Sequence, residues 1–167
     1  VVLVAVSVTG TLVALLVAVA GTLVAVLVAV AGTAVLVLVA VSTAQDPDHT
    51  LLRTALLGLG KAPVRVLAAT NRKPLQAPVA VPGNVKLVDW ISYSRTMPRC
   101  AAVISHAGHG TVVRALASGV PVLAVPHSAD MGENAARVDW AGVGARLPWR
   151  LLRPATLRVA LMRVLEQ

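Results

Sequence analysis

Residues 101–126 read AAVISHAGHGTVVRALASGVPVLAVP. An apolar run at 102–104 enters the turn Ser105-His106-Ala107-Gly108-His109-Gly110-Thr111. A helical segment follows over 111–118 and stops at Gly119. A second apolar run, 122–124, stands between Pro121 and Pro126. Two short apolar runs joined by one helix predict neighbouring parallel strands with a crossover helix.

The pattern extends on both sides of this unit. Residues 35–41 predict a buried strand. A helix follows, with Asp46 as cap and Pro47 as first residue, running to Leu57 and ended by Gly58 and Gly60. Strands are expected at 64–69 and 85–88, separated by a Pro-rich loop over 71–83. A short helix is expected at 96–99. Beyond Pro126 the sequence predicts a helix at 131–141, a strand at 145–147 and a helix at 154–165 with Pro154 near its start. This alternation predicts an α/β fold, a Rossmann-like parallel sheet with helices on both faces. Ligands of such sheets sit beyond the carboxyl ends of the strands, so the loops after Val41, Val88, Ile104 and Val125 should share one edge.

The front of the chain is different in kind. Of 167 residues, the 15 Lys and Arg and the 7 Asp and Glu all lie from Asp46 onward, and residues 1–45 carry no charge. Val, Ala and Leu dominate there, punctuated every 11 residues by Gly10-Thr11, Gly21-Thr22 and Gly32-Thr33. Three readings stand side by side. Two membrane helices with a turn near Gly21 would match a bilayer better than one helix of about 60 Å. Apolar strands of 8 or 9 residues broken at each Gly-Thr would suit the valine content. A low-complexity tract without a function of its own is the third. Lacking a basic leader region or a flanking Lys or Arg, the segment shows no targeting logic. The expected domains are an apolar segment at 1–33 and an α/β domain at 34–167. The expected location is the cytoplasm, with membrane contact through 1–45 as one reading of the front end.

Composition excludes several classes. One cysteine, Cys100, rules out an intramolecular disulfide framework and a multi-cysteine metal cage. The net charge of +8 is dispersed over residues 46–167, and only Trp90, Tyr93, Trp140 and Trp149 are aromatic, so no nucleic-acid partner is expected. Arg95, Arg99, Arg114 and Arg137 would favour an anionic ligand. The arginines from Arg146 to Arg163 read as a solvated surface.

Three motifs could carry chemistry. In residues 105–111, glycines let backbone amides approach a ligand, and a helix start adds N–H groups and a positive dipole end, which suits phosphate or pyrophosphate. A tight turn needing glycine for geometry alone is the competing reading. No Gly-Lys-Ser/Thr follows, and Val113 stands where a dinucleotide fingerprint would place its third glycine. His106 and His109 lack a carboxylate partner at metal-motif spacing, so no metal is expected. The second motif is Pro126 to Asn134, where Asp130 could accept from sugar hydroxyls, or cap the next helix with Glu133 completing a capping box. The third is Asp89-Trp90, where the indole could stack on a nucleobase or belong to the core.

Together these motifs give a specific ordered set. A Trp follows a strand, then comes P-R-C-x-x-V-I-S-H-x-G-x-G-T, then G-V-P, then P-x-x-x-D-x-x-x-N. The set resembles the donor-binding half of GT-B glycosyltransferases, in the macrolide and UDP-glycosyltransferase-like branch, over residues 34–167. The resemblance implies one half of a GT-B fold that binds a UDP- or dTDP-sugar for inverting transfer to an acceptor hydroxyl, as in hexosyltransferases. It implies that Trp90 stacks on the base and that Ile91 meets it through its backbone. His106 and the amides of Gly108, His109, Gly110 and Thr111 would hold the pyrophosphate. Asp130 and Met131 would face the sugar, and the loop Ser42-Thr43 would face the phosphates. No cofactor or metal is implied. The family's catalytic base belongs to an acceptor domain, and residues 1–33 hold no histidine or carboxylate. No catalytic residue is therefore expected in this chain, which should be inactive alone.

Three positions depart from the family pattern. Met131 replaces the usual Gln and removes a hydrogen bond to the sugar. Arg114 replaces a Glu that binds ribose hydroxyls, and arginine cannot accept, which points to a deoxyribose donor or a weakened site. Ser92-Tyr93 replaces a Pro-Gln pair. The alternative function is a non-catalytic, membrane-associated nucleotide-binding or interaction module that keeps the fold.

Overall fold

The computed structural model describes residues 4–9, 12–19, 22–28, 34–42, 46–128 and 130–166. The chain divides between Ala34 and Val35 into two units. In the first, β1 (Val4–Thr9), β2 (Leu12–Val19) and β3 (Thr22–Val28) form an antiparallel meander. Ser7 pairs with Ala14, and Leu16 with Ala25. Valine's branched Cβ fits the pleat better than the helix. The strand reading of the front end is the one adopted, with strands of 6, 8 and 7 residues. Among the described residues no helix is long and apolar enough to cross a membrane.

The second unit is a six-stranded parallel sheet. Its strands are β4 (Leu36–Ala40), β5 (Arg65–Ala69), β6 (Val85–Val88), β7 (Ala102–Ser105), β8 (Val122–Ala124) and β9 (Gly144–Arg146). The spatial order is β6-β5-β4-β7-β8-β9. The helices are α1 (Thr50–Leu59), α2 (Tyr93–Thr96), α3 (His109–Ala117), α4 (Met131–Trp140) and α5 (Pro154–Leu165). The chain builds outward from β4 to β6, then returns to lay β7 on the other side of β4. The strand order therefore reverses between β4 and β7, where the loops diverge and leave a crevice.

Alternation along β4 shows why the sheet is covered twice. Val37, Val39 and Val41 enter one core with Leu51, Leu52, Leu157 and Leu161 of α1 and α5. Leu38 and Ala40 enter the other with Val112, Ala135 and Val138 of α3 and α4. A strand buried on both faces reads as a continuous apolar run, as this one does.

Local chemistry moves several boundaries. The first helix begins at Thr50 instead of Pro47, because the Asp46 carboxylate reaches past a turn to accept the N–H groups of Thr50 (2.7 Å) and Leu51 (3.1 Å). The turn at the end of β7 is shorter than expected, and α3 starts at His109 with Gly108 as its N-cap. The short helix expected at 96–99 is divided into α2 and a 3-10 turn, Met97–Arg99. Gly144 has φ +152°, and a Cβ there would stand 2.0 Å from the Val122 carbonyl oxygen. Only glycine lets β9 lie against β8.

Candidate functional site

An open cleft of about 580 Å³ lies at the reversal point. One wall is the start of α3, Gly108 to Thr111. Val41 and Ser42 come from the end of β4, Asn71 from the loop after β5, and Trp90, Ile91 and Tyr93 from the segment after β6. Arg114 also lines it.

The turn into α3 answers the question of what its glycines are for. The strained residue is Ala107, whose φ of +61° lies in the left-handed region. Gly108 has an ordinary φ of −60°, and a Cβ on it would meet nothing within 4 Å. A Cβ on Gly110 would meet only the Arg114 guanidinium, at 3.8 Å. The fold does not require glycine at either position, whereas a ligand approaching the amides closely would. The turn is braced from behind: the Ala107 N–H donates to Ser105 Oγ (3.1 Å), and Asn134 Nδ2 donates to the Ala107 carbonyl (3.0 Å). No side chain caps α3; the Thr111 and Val112 N–H groups donate to the Gly108 carbonyl (3.0 and 3.1 Å), which leaves the earlier N–H groups of Gly108, His109 and Gly110 at the cleft wall.

Opposite stands Trp90, 55% exposed, so it is not the core tryptophan of the competing reading. The Arg72 guanidinium lies 5.5 Å from its ring centroid. Ile91 is buried below it. Asn71 Nδ2 donates to the Val41 carbonyl (2.7 Å) and to Tyr93 Oη (3.1 Å), tying three loops together. Burial pushes the Tyr93 phenol above its ordinary value, while the Asn71 hydrogen bond and the Arg114 charge oppose the rise. Asn71 and Tyr93 escape sequence reasoning as site residues. The signal for Asn71 is its place at the carboxyl end of β5, on the same edge as the other loops.

The site residues expected from sequence separate into groups. Ser42, Trp90, Ile91, Gly108, His109, Gly110 and Thr111 share the cleft. Thr43 lies outside the described residues. His106 does not line the cleft. It is 2% exposed, accepts the Ser42 N–H on Nδ1 (3.0 Å) and sets Nε2 3.4 Å from Asp46 Oδ2. Met131 is buried with core residues of α3, α4 and the sheet and does not line the cleft. Asp130 is exposed outside the cleft. It makes no side-chain cap, since its carboxylate accepts from Asn134 Nδ2 (3.1 Å), and Glu133 pairs with Arg137 instead of closing a capping box.

Asp46 anchors the same region. Burial alone would raise its carboxyl. The His106 contact and the N–H groups of Thr50 and Leu51 outweigh burial and hold it below the usual carboxylate value. A second cleft, about 680 Å³, opens after β8 and β9 and is lined in part by His127, Ser128, Gly132 and Trp149. There His127 meets Trp149 edge-on at 4.3 Å between ring centroids.

The model of the family described as erythromycin biosynthesis protein CIII-like, C-terminal domain, matches residues 54–167. Tylactone mycaminosyltransferase of Streptomyces fradiae is 33% identical over 120 residues, which are 72% of this chain and 26% of that protein. The 3-alpha-mycarosylerythronolide B desosaminyl transferase of Saccharopolyspora erythraea is 33% identical over 112 residues, 66% of this chain and 27% of that protein. The solved structure of CalG4, the calicheamicin glycosyltransferase, superposes with a TM-score of 0.70 at 27% identity, over 81% of this chain and 35% of that one. The chain thus spans about a quarter of the length of these curated relatives.

Proposed function

The chain belongs to the erythromycin biosynthesis protein CIII-like C-terminal domain family, and on that premise we propose that it is the part of a glycosyltransferase that binds the nucleotide-diphosphate sugar. The carrying observation is that Trp90 and the uncapped start of α3 face one cleft. The indole offers a stacking surface for a base. The amides of Gly108, His109 and Gly110 offer a diphosphate site, with Thr111, whose own N–H is taken by the Gly108 carbonyl, adding its hydroxyl and Arg114 adding positive charge. Its relatives' names describe transfer of sugars to small molecules, which fits a sugar-linked ligand.

In the transfer step, an acceptor oxygen attacks the anomeric carbon as the bond from that carbon to the diphosphate oxygen breaks. The nucleotide diphosphate leaves with the electron pair, and the acceptor's proton goes to a base. The α3 amides and Arg114 stabilise the charge that develops on the leaving oxygen. This reading needs no metal, because protein cations and dipoles take that role. The base and the acceptor site are assigned to a partner domain. Arg114 has no acceptor for ribose hydroxyls, which favours dTDP over UDP. Asp130, exposed outside the cleft, is the carboxylate that would receive sugar hydroxyls.

The test is to titrate dTDP and UDP into the 15N-labelled chain while following its amide resonances. The Gly108 and Gly110 amides and the Trp90 indole should shift together, at lower concentrations of dTDP than of UDP. Folded protein whose amides stay unmoved at millimolar nucleotide overturns the proposal.

A further inference from the structure

Trp90 lines the nucleotide cleft and Arg72 does not, although the Arg72 guanidinium carbon stands over the indole, 5.5 Å from its ring centroid. The guanidinium therefore covers the face of the indole turned away from the cleft, and the other face is left for a base. The backbone brings this about. β5 and β6 pair in parallel as far as Ala69 and Val88, and the pairing runs on past both strands. The Thr70 N–H donates to the Val88 carbonyl (3.0 Å) and the Arg72 N–H to the Asp89 carbonyl (2.9 Å). Thr70 Oγ1 also donates to Asp89 Oδ1 (3.2 Å). Arg72 is thus pinned to the residue that precedes Trp90. Asn71 and Arg72 both lie in the left-handed region, at φ +54° and +63°. Two successive residues with side chains are strained there, and such strain persists only where the surroundings hold it. The Asn71 side chain holds this turn from the cleft side, through its bonds to the Val41 carbonyl and Tyr93 Oη. What the turn accomplishes is to fold the Arg72 side chain over the indole. Among the described residues the Arg72 guanidinium joins no ion pair, and its contact is the ring.

We propose that Arg72 is a positioning residue that backs the indole of Trp90 and presents its free face to the base, without touching the nucleotide. The role rests on the function proposed above. A cation held over one face of an indole fixes the angle of the ring, and a ring already held loses less freedom when a base stacks on it. The diphosphate end of the site lies on α3, and Arg72 takes no part in it.

The test uses the 15N-labelled full chain. In the free protein the Arg72 Nε–H resonance should lie upfield, moved by the ring current of Trp90, and Trp90→Ala should abolish that shift. On saturation with dTDP it should stay upfield while the Trp90 indole N–H moves. An Arg72 resonance that returns to its ordinary position as dTDP binds means that the guanidinium held the face the base needs, and overturns the proposal. So does absence of the upfield shift in the free wild-type chain, whether or not any variant folds. Arg72→Gln should bind dTDP roughly threefold more weakly, the effect of one exposed cation–π contact, and should bind inorganic pyrophosphate as the wild type does. Equal weakening of both ligands assigns Arg72 to the general structure of this edge, and unchanged or tighter dTDP binding shows that the ring needs no backing. Either result overturns the proposal. A wild-type chain that binds no dTDP defeats the function proposed above and this role with it, and that failure is read before any variant is compared.

Discussion

Arg72 lies over the indole of Trp90, its guanidinium carbon 5.5 Å from the ring centroid, on the rim of the cleft that faces the start of α3. The ring is more than half exposed and supports little of the core. Replacing it should remove a stacking surface and leave the fold intact. Base stacking on an aromatic side chain contributes about 1–3 kcal/mol. Trp90→Ala should therefore weaken dTDP binding by about tenfold or more, with an unchanged denaturation midpoint. Calorimetric titration beside urea unfolding checks both halves.

Gly108 and Ala107 are neighbours with opposite roles. A Cβ on Gly108 enters open space at an ordinary φ, so Gly108→Ala should change stability by less than about 1 kcal/mol. The same methyl would stand where a diphosphate meets the amides, and binding should fall by about tenfold or more. Ala107→Val places a β-branched side chain at φ +61° in a fully buried site and should destabilise by about 2 kcal/mol or more. Gly108→Ala with full affinity would mean that the ligand does not approach the α3 amides.

Asp46 gives a pH dependence with a definite sign. Its carboxyl is held below the ordinary value in the folded chain. Its stabilising effect is therefore complete above the unfolded value of about 3.9 and is lost as pH falls through the lower folded value. Asp46→Asn should flatten the acid limb of a stability–pH curve and cost about 1–3 kcal/mol at neutral pH, through the weakened hold on Thr50 and Leu51. Chemical denaturation across the acid range compares the two proteins. Parallel curves would remove Asp46 from the account.

Gly144 supplies a steric prediction. With Val122 O only 2.0 Å from a built Cβ, and φ at +152°, Gly144→Ala cannot be accommodated without displacing β9 from β8. A loss of about 3 kcal/mol or more is expected. Thermal unfolding followed by circular dichroism reads it directly.

These contrasts also show what a linear sequence reveals. The strands of the parallel sheet are legible because each is a short apolar run, several of them closed by Gly or Pro, and Val85–Val88 and Val122–Ala124 match residue for residue. Pro154 sets the start of α5 for the same local reason. The start of α1 is hidden, because Asp46 acts on N–H groups four and five positions away with a left-handed residue, His49, between them. At the site, the glycines and Trp90 can be read, since both depend on position after a strand. The inward turn of His106 cannot. A histidine at a strand end looks the same in sequence whether its ring meets a ligand or, as here, the backbone of a loop more than 60 residues earlier.

The strand order has a consequence for biogenesis. β4 takes β5 as its neighbour early in the chain, but on its other side Val37 must wait for Ala102. During synthesis one margin of this fully apolar strand stays unsatisfied until β7 emerges, and the crevice between them forms only then. Newly made chains should be most prone to aggregate in that interval, and a holdase would act there.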